Sequence, residues 1–254
     1  MTFERTSQPA FFGTSALLFA ASASLTTVGC ASMSAMGEMP MPGGWTMSMA
    51  WMRMSGQTWL AAAASFVGMW VVMMVAMMLP SFVPTLARYR QTIGHTGEVR
   101  VSWLTALVGI GYFFVWTVFG IVVFPLGATL AEIEMQQPAP ARAVPIAVGL
   151  VVVIAGGLQF SAWKAHHLAC CREAPGRARM LSANAGTAWR HGLRLGIHCT
   201  YGCAGFTAIL FVFGIMNLRV MALVAAAITA ERLAPNGERV ARAIGIVLFG
   251  LGCS

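Results

Sequence analysis

The sequence predicts an all-α fold, a polytopic transmembrane bundle of about seven helices (six to seven), with the N-terminus in the cytoplasm and the C-terminus outside. Three observations carry this. Only 9% of the 254 residues are charged and 58% are hydrophobic, with a mean hydropathy of +0.74. A soluble domain carries about 25% charged residues, so this chain has too few charges to wet a globular surface. Its apolar runs reach the roughly 20 residues that cross a bilayer. They are continuous rather than alternating, which favours helices over a β-barrel as the way to satisfy the backbone in lipid.

The elements follow in chain order. The first span is Phe11–Cys30, read as an uncleaved helix: Glu4 beside Arg5 makes a weak charged start, and Thr27 fits a lipoprotein-type cleavage site before Cys30 poorly. A Met-rich segment, Met33–Thr58, leads to the second span, Trp59–Leu79, which is expected to stop at Pro80. Polar residues Arg88–Arg100 precede the third span, Trp103–Leu126. A proline-containing loop, Gln136–Pro140, precedes the fourth, Val144–Trp163. After a basic loop to about Leu193 come Leu195–Ile215 and Val220–Glu231, joined by a tight turn near Asn217, and a short last span, Val240–Cys253. The whole chain, 1–254, reads as one integral membrane domain. It carries an extracytoplasmic Met-rich segment at 31–58 and a cytoplasmic Cys/His loop at 164–194.

Orientation follows from the positive residues. With the N-terminus inside, 13 of the 16 basic residues lie in the cytoplasm, and only Arg53, Arg142 and Arg219 lie outside. The net charge of +8 is therefore a topology signal. The basic residues are spread over separate loops and form no aromatic-laced patch, so no nucleic-acid partner is expected.

Several activities are disfavoured. There is no Walker-type phosphate loop, hence no nucleotide, and no Asp for an aspartyl-phosphate pump. The only Lys, Lys164, sits at the inner end of a span, which disfavours a retinal Schiff base, and Glu132, Glu134 and Glu231 lie near span ends, which leaves a carboxylate proton relay without mid-membrane residues. No catalytic residue stands out.

Soft ligands are plentiful instead. Eight methionines lie between Met33 and Met54, including Met47, Met49, Met52 and Met54. Thioether sulfur suits Cu(I) and needs no deprotonation; the plainer reading is an interfacial segment packed with flexible apolar side chains. In the second span Met69, Met73 and Met77 share a face at i, i+4, i+8, with Met74 and Met78 in an adjacent row. Methionine is also an ordinary packing residue there. Near the cytoplasm, Cys199 and Cys203 face the same way at i, i+4 beside His198, and His167 and Cys171 do so if their helix continues. Cytoplasmic thiols stay reduced, and thiolates and neutral imidazoles bind Cu(I) or Zn(II). Buried cysteines also serve simply as small hydrophobes. Cys30 and Cys253 both fall near the outer face, unpaired or joined. Gly192 and Gly196, four apart, suit close packing of the fifth span on a neighbour.

The run Met41–Met54, followed by Met69-Trp-Val-Val-Met-Met-Val-Ala-Met-Met-Leu-Pro-Ser81, resembles a bacterial domain-of-unknown-function family of predicted metal-binding integral membrane proteins. Trp163-Lys164, Cys170-Cys171-Arg172, the Gly192–Cys203 stretch, Phe213–Leu218 and Glu231 agree with it, so the resemblance covers nearly the whole chain. It implies metal handling in the bacterial inner membrane. Family members tend to carry a G-x-x-C-x-G-C-C-W run; here Ala204 and Gly205 stand where that pattern has Cys and Trp.

The residues suggest binding or transport of a soft metal such as Cu(I), with thioethers outside, methionines along one crossing and Cys/His inside. A metal ion and the lipid bilayer are the expected partners. A second class is an assembly factor for a metalloenzyme, its Met segment docking a protein partner. A third is a thiol–disulfide protein, disfavoured because Cys199 and Cys203 lack the C-x-x-C spacing.

Overall fold

An apolar chain with no water around it must close its backbone hydrogen bonds locally, and helices do that within one segment. The computed structural model describes residues 4–35, 37, 39–42, 44–53, 56–93, 96–172 and 183–252. Among them are nine α-helices. They are α1 (Glu4–Ala35), α2 (Trp59–Ile93), α3 (Glu98–Gln136), α4 (Pro138–Leu158), α5 (Ala162–Arg172), α6 (Ala185–Gly202), α7 (Ala204–Val212), α8 (Leu218–Leu233) and α9 (Gly237–Gly252). The fold is all-α apart from one small hairpin, β1 (Met39–Met41) with β2 (Trp45–Met47), in which Met39 pairs with Met47.

Four helices are long and apolar enough to cross a bilayer: α1 over Gln8–Ala35, α2, α3 and α4. A fifth is formed if α6 and α7, bent by 58° at their junction, count as one span. The remaining two expected crossings fall on α8 and α9, which have 16 residues each. At 1.5 Å per residue such a helix is about 24 Å long, short of the roughly 30 Å hydrocarbon core.

Helix boundaries differ from the sequence expectation in several places. The third helix runs on to Gln136, so the expected loop Gln136–Pro140 is reduced to Gln137, and the fourth ends at Leu158, short of Trp163. The second helix does not stop at Pro80 but runs through Pro80 and Pro84 to Ile93. Proline removes one donor and usually breaks a helix, yet neighbouring hydroxyls and helices can re-satisfy the freed groups. The carbonyls freed are those of Ala76 and Pro80, four residues before each proline, and beside them Ser81 Oγ donates to the Met78 carbonyl at 3.0 Å. Of the segment expected as a loop over 164–194, the described residues are mostly helical, as α5 and the first half of α6; 173–182 lie outside the described residues. And the fifth span is interrupted: α6 ends at Gly202, and α7 begins at Ala204. The turn near Asn217 is as expected. The Asn217 side chain accepts from the Arg219 and Val220 N–H groups and caps α8.

Two close crossings set the arrangement. Helix α3 lies against α6 where Gly111, Gly192 and Gly196 leave no room for a side chain. A Cβ on Gly196 would come within 2.9 Å of the Tyr112 carbonyl, and one on Gly192 would strike that of Val108. Such small-residue faces let helices approach backbone to backbone. Helix α9 lies on α4 in the same manner, with Gly245 and Gly252 facing Gly156 and Gly149. Between α2, α3 and α7 the core is aromatic: Trp70 stacks on Phe211 at 5.6 Å and donates its indole N–H to the Trp116 carbonyl at 2.9 Å.

Candidate metal centre

The break between α6 and α7 builds the site. Ending α6 at Gly202 leaves carbonyls without intrahelical donors. Lys164 of α5 reaches across and donates its ammonium to the Gly202 carbonyl at 2.6 Å. The same ammonium pairs with the Glu231 carboxylate of α8 at 2.8 Å, both side chains being buried. It also sits 4.7 Å from the Phe206 ring of α7. One cation thus fixes the ends of α5, α7 and α8 around the interruption.

Cys203 sits in that interruption, and Cys199 lies one turn earlier on α6. Their sulfurs are 3.9 Å apart. Met78 of α2 brings its thioether to 4.0 Å from Cys199. On the other side the Tyr112 hydroxyl of α3 donates to Cys199 at 2.8 Å, held flat by Phe82 stacked at 4.0 Å. Cys199 has no exposure at all. Arg232, next to Glu231 on α8, directs Nη2 to both Cys203 and Cys171 at 3.8 Å and Nη1 toward Ser81 at 3.4 Å.

A trigonal ion with metal–sulfur bonds of about 2.3 Å needs its ligands about 4.0 Å apart. The Cys199–Cys203 and Cys199–Met78 separations meet that spacing. Two thiolates and one Cu(I) leave a net charge of −1, and a buried charge requires a partner. The Arg232 guanidinium beside Cys203 supplies it. Among the described residues no three His, Cys, Asp or Glu side chains converge to hold an ion; the trio is completed by a methionine.

The remaining residues singled out by sequence fall elsewhere. His167 and His198 meet each other, Nδ1 to Nδ1 at 3.0 Å, between α5 and α6, with His166 close by and its ring 6.3 Å from that of His198. Adjacent residues on a helix point in different directions, so His198 faces α5 while Cys199 faces the bundle interior. Burial and the neighbouring His198 and His166 rings hold His167 below the ordinary histidine value, which keeps it neutral at pH 7. Cys171 approaches Arg232 but not a second thiol in hydrogen-bond range; burial, opposed by Arg232, pushes its thiol up to about 11. It is a thiol, not a thiolate, at neutral pH. Met73 and Met77 are buried in the main core and Met69 packs over Gly29 of α1. Met47 is buried in a separate cluster with Met41, Ala131 and Ala141, where the Trp45 indole donates to the Ala141 carbonyl at 2.8 Å. Met52 is half-buried. The side chain of Met49 and all of Met54 and Cys253 lie outside the described residues.

Sequence reasoning did not single out Met78 as the sulfur beside Cys199, nor Tyr112, Lys164 and Arg232 as its surroundings. Met78 was visible as a member of the second methionine row. A single lysine at a span end, in a chain so poor in charge, was the signal for a buried ion pair, though it did not say which of the glutamates near span ends would be its partner.

Two thiols, a thioether and a flanking guanidinium inside a helical bundle define a donor set suited to a soft metal ion. The chain belongs to the PpoB2 copper chaperone family, whose model matches residues 67–254. That range holds α3 to α9 and α2 from Val67 onward, and thus every residue of the centre just described. No curated protein and no solved structure matches the chain.

Proposed function

We propose that this protein is a membrane-embedded copper chaperone that holds Cu(I) between Cys199, Cys203 and Met78 and releases it by ligand exchange to a recipient. The observation that carries the reading is the sulfur spacing at the α6–α7 break, 3.9 and 4.0 Å from Cys199 to its two sulfur neighbours. Family membership supports copper as the cargo. The apolar helices support a bilayer setting.

Release is part of the design, because a chaperone must bind without trapping. The thioether is the weakest of the three donors and carries no charge, so it is the ligand a recipient thiolate displaces first. The His167–His198 pair lies next along the chain from Cys199 and offers neutral nitrogen donors at the end of the bundle for the departing ion.

The test is copper content per chain after purification from copper-supplemented cells, with X-ray absorption at the copper edge. The wild-type protein should carry copper in a sulfur-only shell, and Cys199→Ser/Cys203→Ser should lose one copper per chain. An unchanged copper content in that double variant would remove these residues from copper handling.

A further inference from the structure

The geometry points to a second soft-metal site at the opposite end of the bundle, made by Cys30, Met216 and Met221. It deepens the copper-handling reading and rests on it for the identity of the cargo, but it shares no residue with the centre at Cys199.

Cys30 lies in α1, Met216 in the turn between α7 and α8, and Met221 in the first turns of α8. The Cys30 sulfur is 3.9 Å from the Met216 sulfur and 3.9 Å from the Met221 sulfur. This is again the separation that a trigonal ion with bonds of about 2.3 Å imposes. Cys30 is 1% exposed and Met221 4%. The turn is held in shape by Gly214, whose φ of +95° favours glycine, and by the Asn217 cap, so Met216 is presented by fixed backbone. Three sulfurs from segments nearly 190 residues apart therefore converge without relying on a mobile loop.

A path for the ion adjoins them. Cys30 and Met216 form part of the wall of a cavity of about 400 Å³. Met33, Ser34 and Ser48 also line it, together with Arg219. Met33 adds another thioether, and Ser48 belongs to the Met-rich segment. The cavity thus joins that segment to the buried thiol.

Charge selects the ligand. One thiolate, two thioethers and Cu(I) sum to zero, so the loaded site needs no counter-ion, and the contacts at the Cys30 sulfur are neutral. A divalent ion such as Zn(II) would leave +1 in an apolar pocket and prefers nitrogen or thiolate donors to thioether. The site fits a soft monovalent ion, and its position makes it the place where copper is first captured. Cys30 precedes the residues matched by the copper chaperone family model, whereas Met216 and Met221 lie within them.

The experiment is an anaerobic Cu(I) titration of the purified full chain in detergent against a chromogenic Cu(I) chelator. The wild-type protein should withhold two equivalents from the chelator, Cys30→Ser one, Cys199→Ser/Cys203→Ser one, and the triple variant none. In Cys199→Ser/Cys203→Ser, X-ray absorption should show three sulfurs around copper. Adding Met216→Leu/Met221→Leu, which conserves volume and leaves the thiol, should abolish that three-sulfur shell. Two equivalents retained by Cys30→Ser would overturn this inference and leave the Cys199 centre standing. One equivalent in wild type, lost in Cys30→Ser and kept in Cys199→Ser/Cys203→Ser, would sustain this site and overturn the other. A copper shell unaltered by Met216→Leu/Met221→Leu would also overturn it.

Discussion

The two ends of the bundle hold sulfur at the same spacing but in opposite electrostatic settings. At the α6–α7 break two cysteines and one methionine sit beside Arg232, with the Lys164–Glu231 pair on the same helix ends. At the end of α1 one cysteine and two methionines meet with neutral contacts only at the thiol. The number of thiols tracks the presence of a cation in contact with them: Arg232 reaches Cys203, whereas Arg219 lines the cavity beside Cys30 and that thiol meets two thioethers. A second thiolate adds a negative charge to the loaded site, and in a low-dielectric interior an uncompensated charge is costly. Replacing a thiolate by a thioether removes the need for compensation. The comparison teaches that the proposed sites differ in the charge their surroundings can absorb, so the mono-thiolate site should bind more weakly and release more readily.

The largest expected effect comes from deleting the thiolates. Cys199→Ser/Cys203→Ser should weaken Cu(I) binding at that end by more than the ~10–100-fold that loss of an outer-shell partner causes, read by chelator competition, while the Cys30 end keeps its copper. Next is the ion pair. Lys164→Met leaves Glu231 buried without its cation and should destabilise the fold by about 3–5 kcal/mol, measured by denaturant unfolding in detergent. Lys164→Met/Glu231→Met should recover most of that, since replacing both buried partners is often close to neutral. Arg232→Gln sharpens the comparison directly. It should weaken binding at the Cys199 end by about 10–100-fold and leave the Cys30 end unchanged. Equal weakening at both ends would show that the guanidinium acts through overall stability and not through local charge. The smallest effect is expected from Met47→Leu. It should cost less than about 1.5 kcal/mol and leave copper stoichiometry as in wild type, because the Met47 side chain is enclosed by Met41, Ala131 and Ala141.

Much of the helical frame was legible in the apolar runs. The start of α2 at Trp59 and the cap at Asn217 fall where composition and turn chemistry place them, whereas the loop expected over Gln136–Pro140 shrinks to Gln137, because Pro138 fits the first position of α4. Continuation of α2 through two prolines was not, because proline is the usual stop signal for a helix and the packing of α2 against α1, α3 and α8 that supports the continuous helix has no local signature. The pairing of Cys199 with Cys203 was readable from their spacing by four. Their methionine partner was not, since helical periodicity gives two rows on α2 and only the packing of α3 and α6 decides which row meets the thiols. The interruption of α6 carries no proline, and its support, Lys164 on the Gly202 carbonyl, joins residues 38 positions apart in the chain. Contacts at that separation, like those of Cys30 with Met216 and Met221, have no local signature. The departures from the family run also acquire a reason in part. Gly205 lies against Ala155 of α4, where a Cβ would come to 3.4 Å of the neighbouring backbone, so a tryptophan there would require α4 and α7 to separate.

Glu231 and Arg232 are consecutive on α8, and one answers to Lys164 while the other answers to the thiols. Turning this helix about its axis therefore moves both charges together. Any rotation that draws the guanidinium toward the thiols also tugs on the ammonium seated on the Gly202 carbonyl at the α6–α7 break. The proposed copper site and the scaffold share one mechanical degree of freedom, and the helix that carries it also brings Met221 to the far end of the bundle.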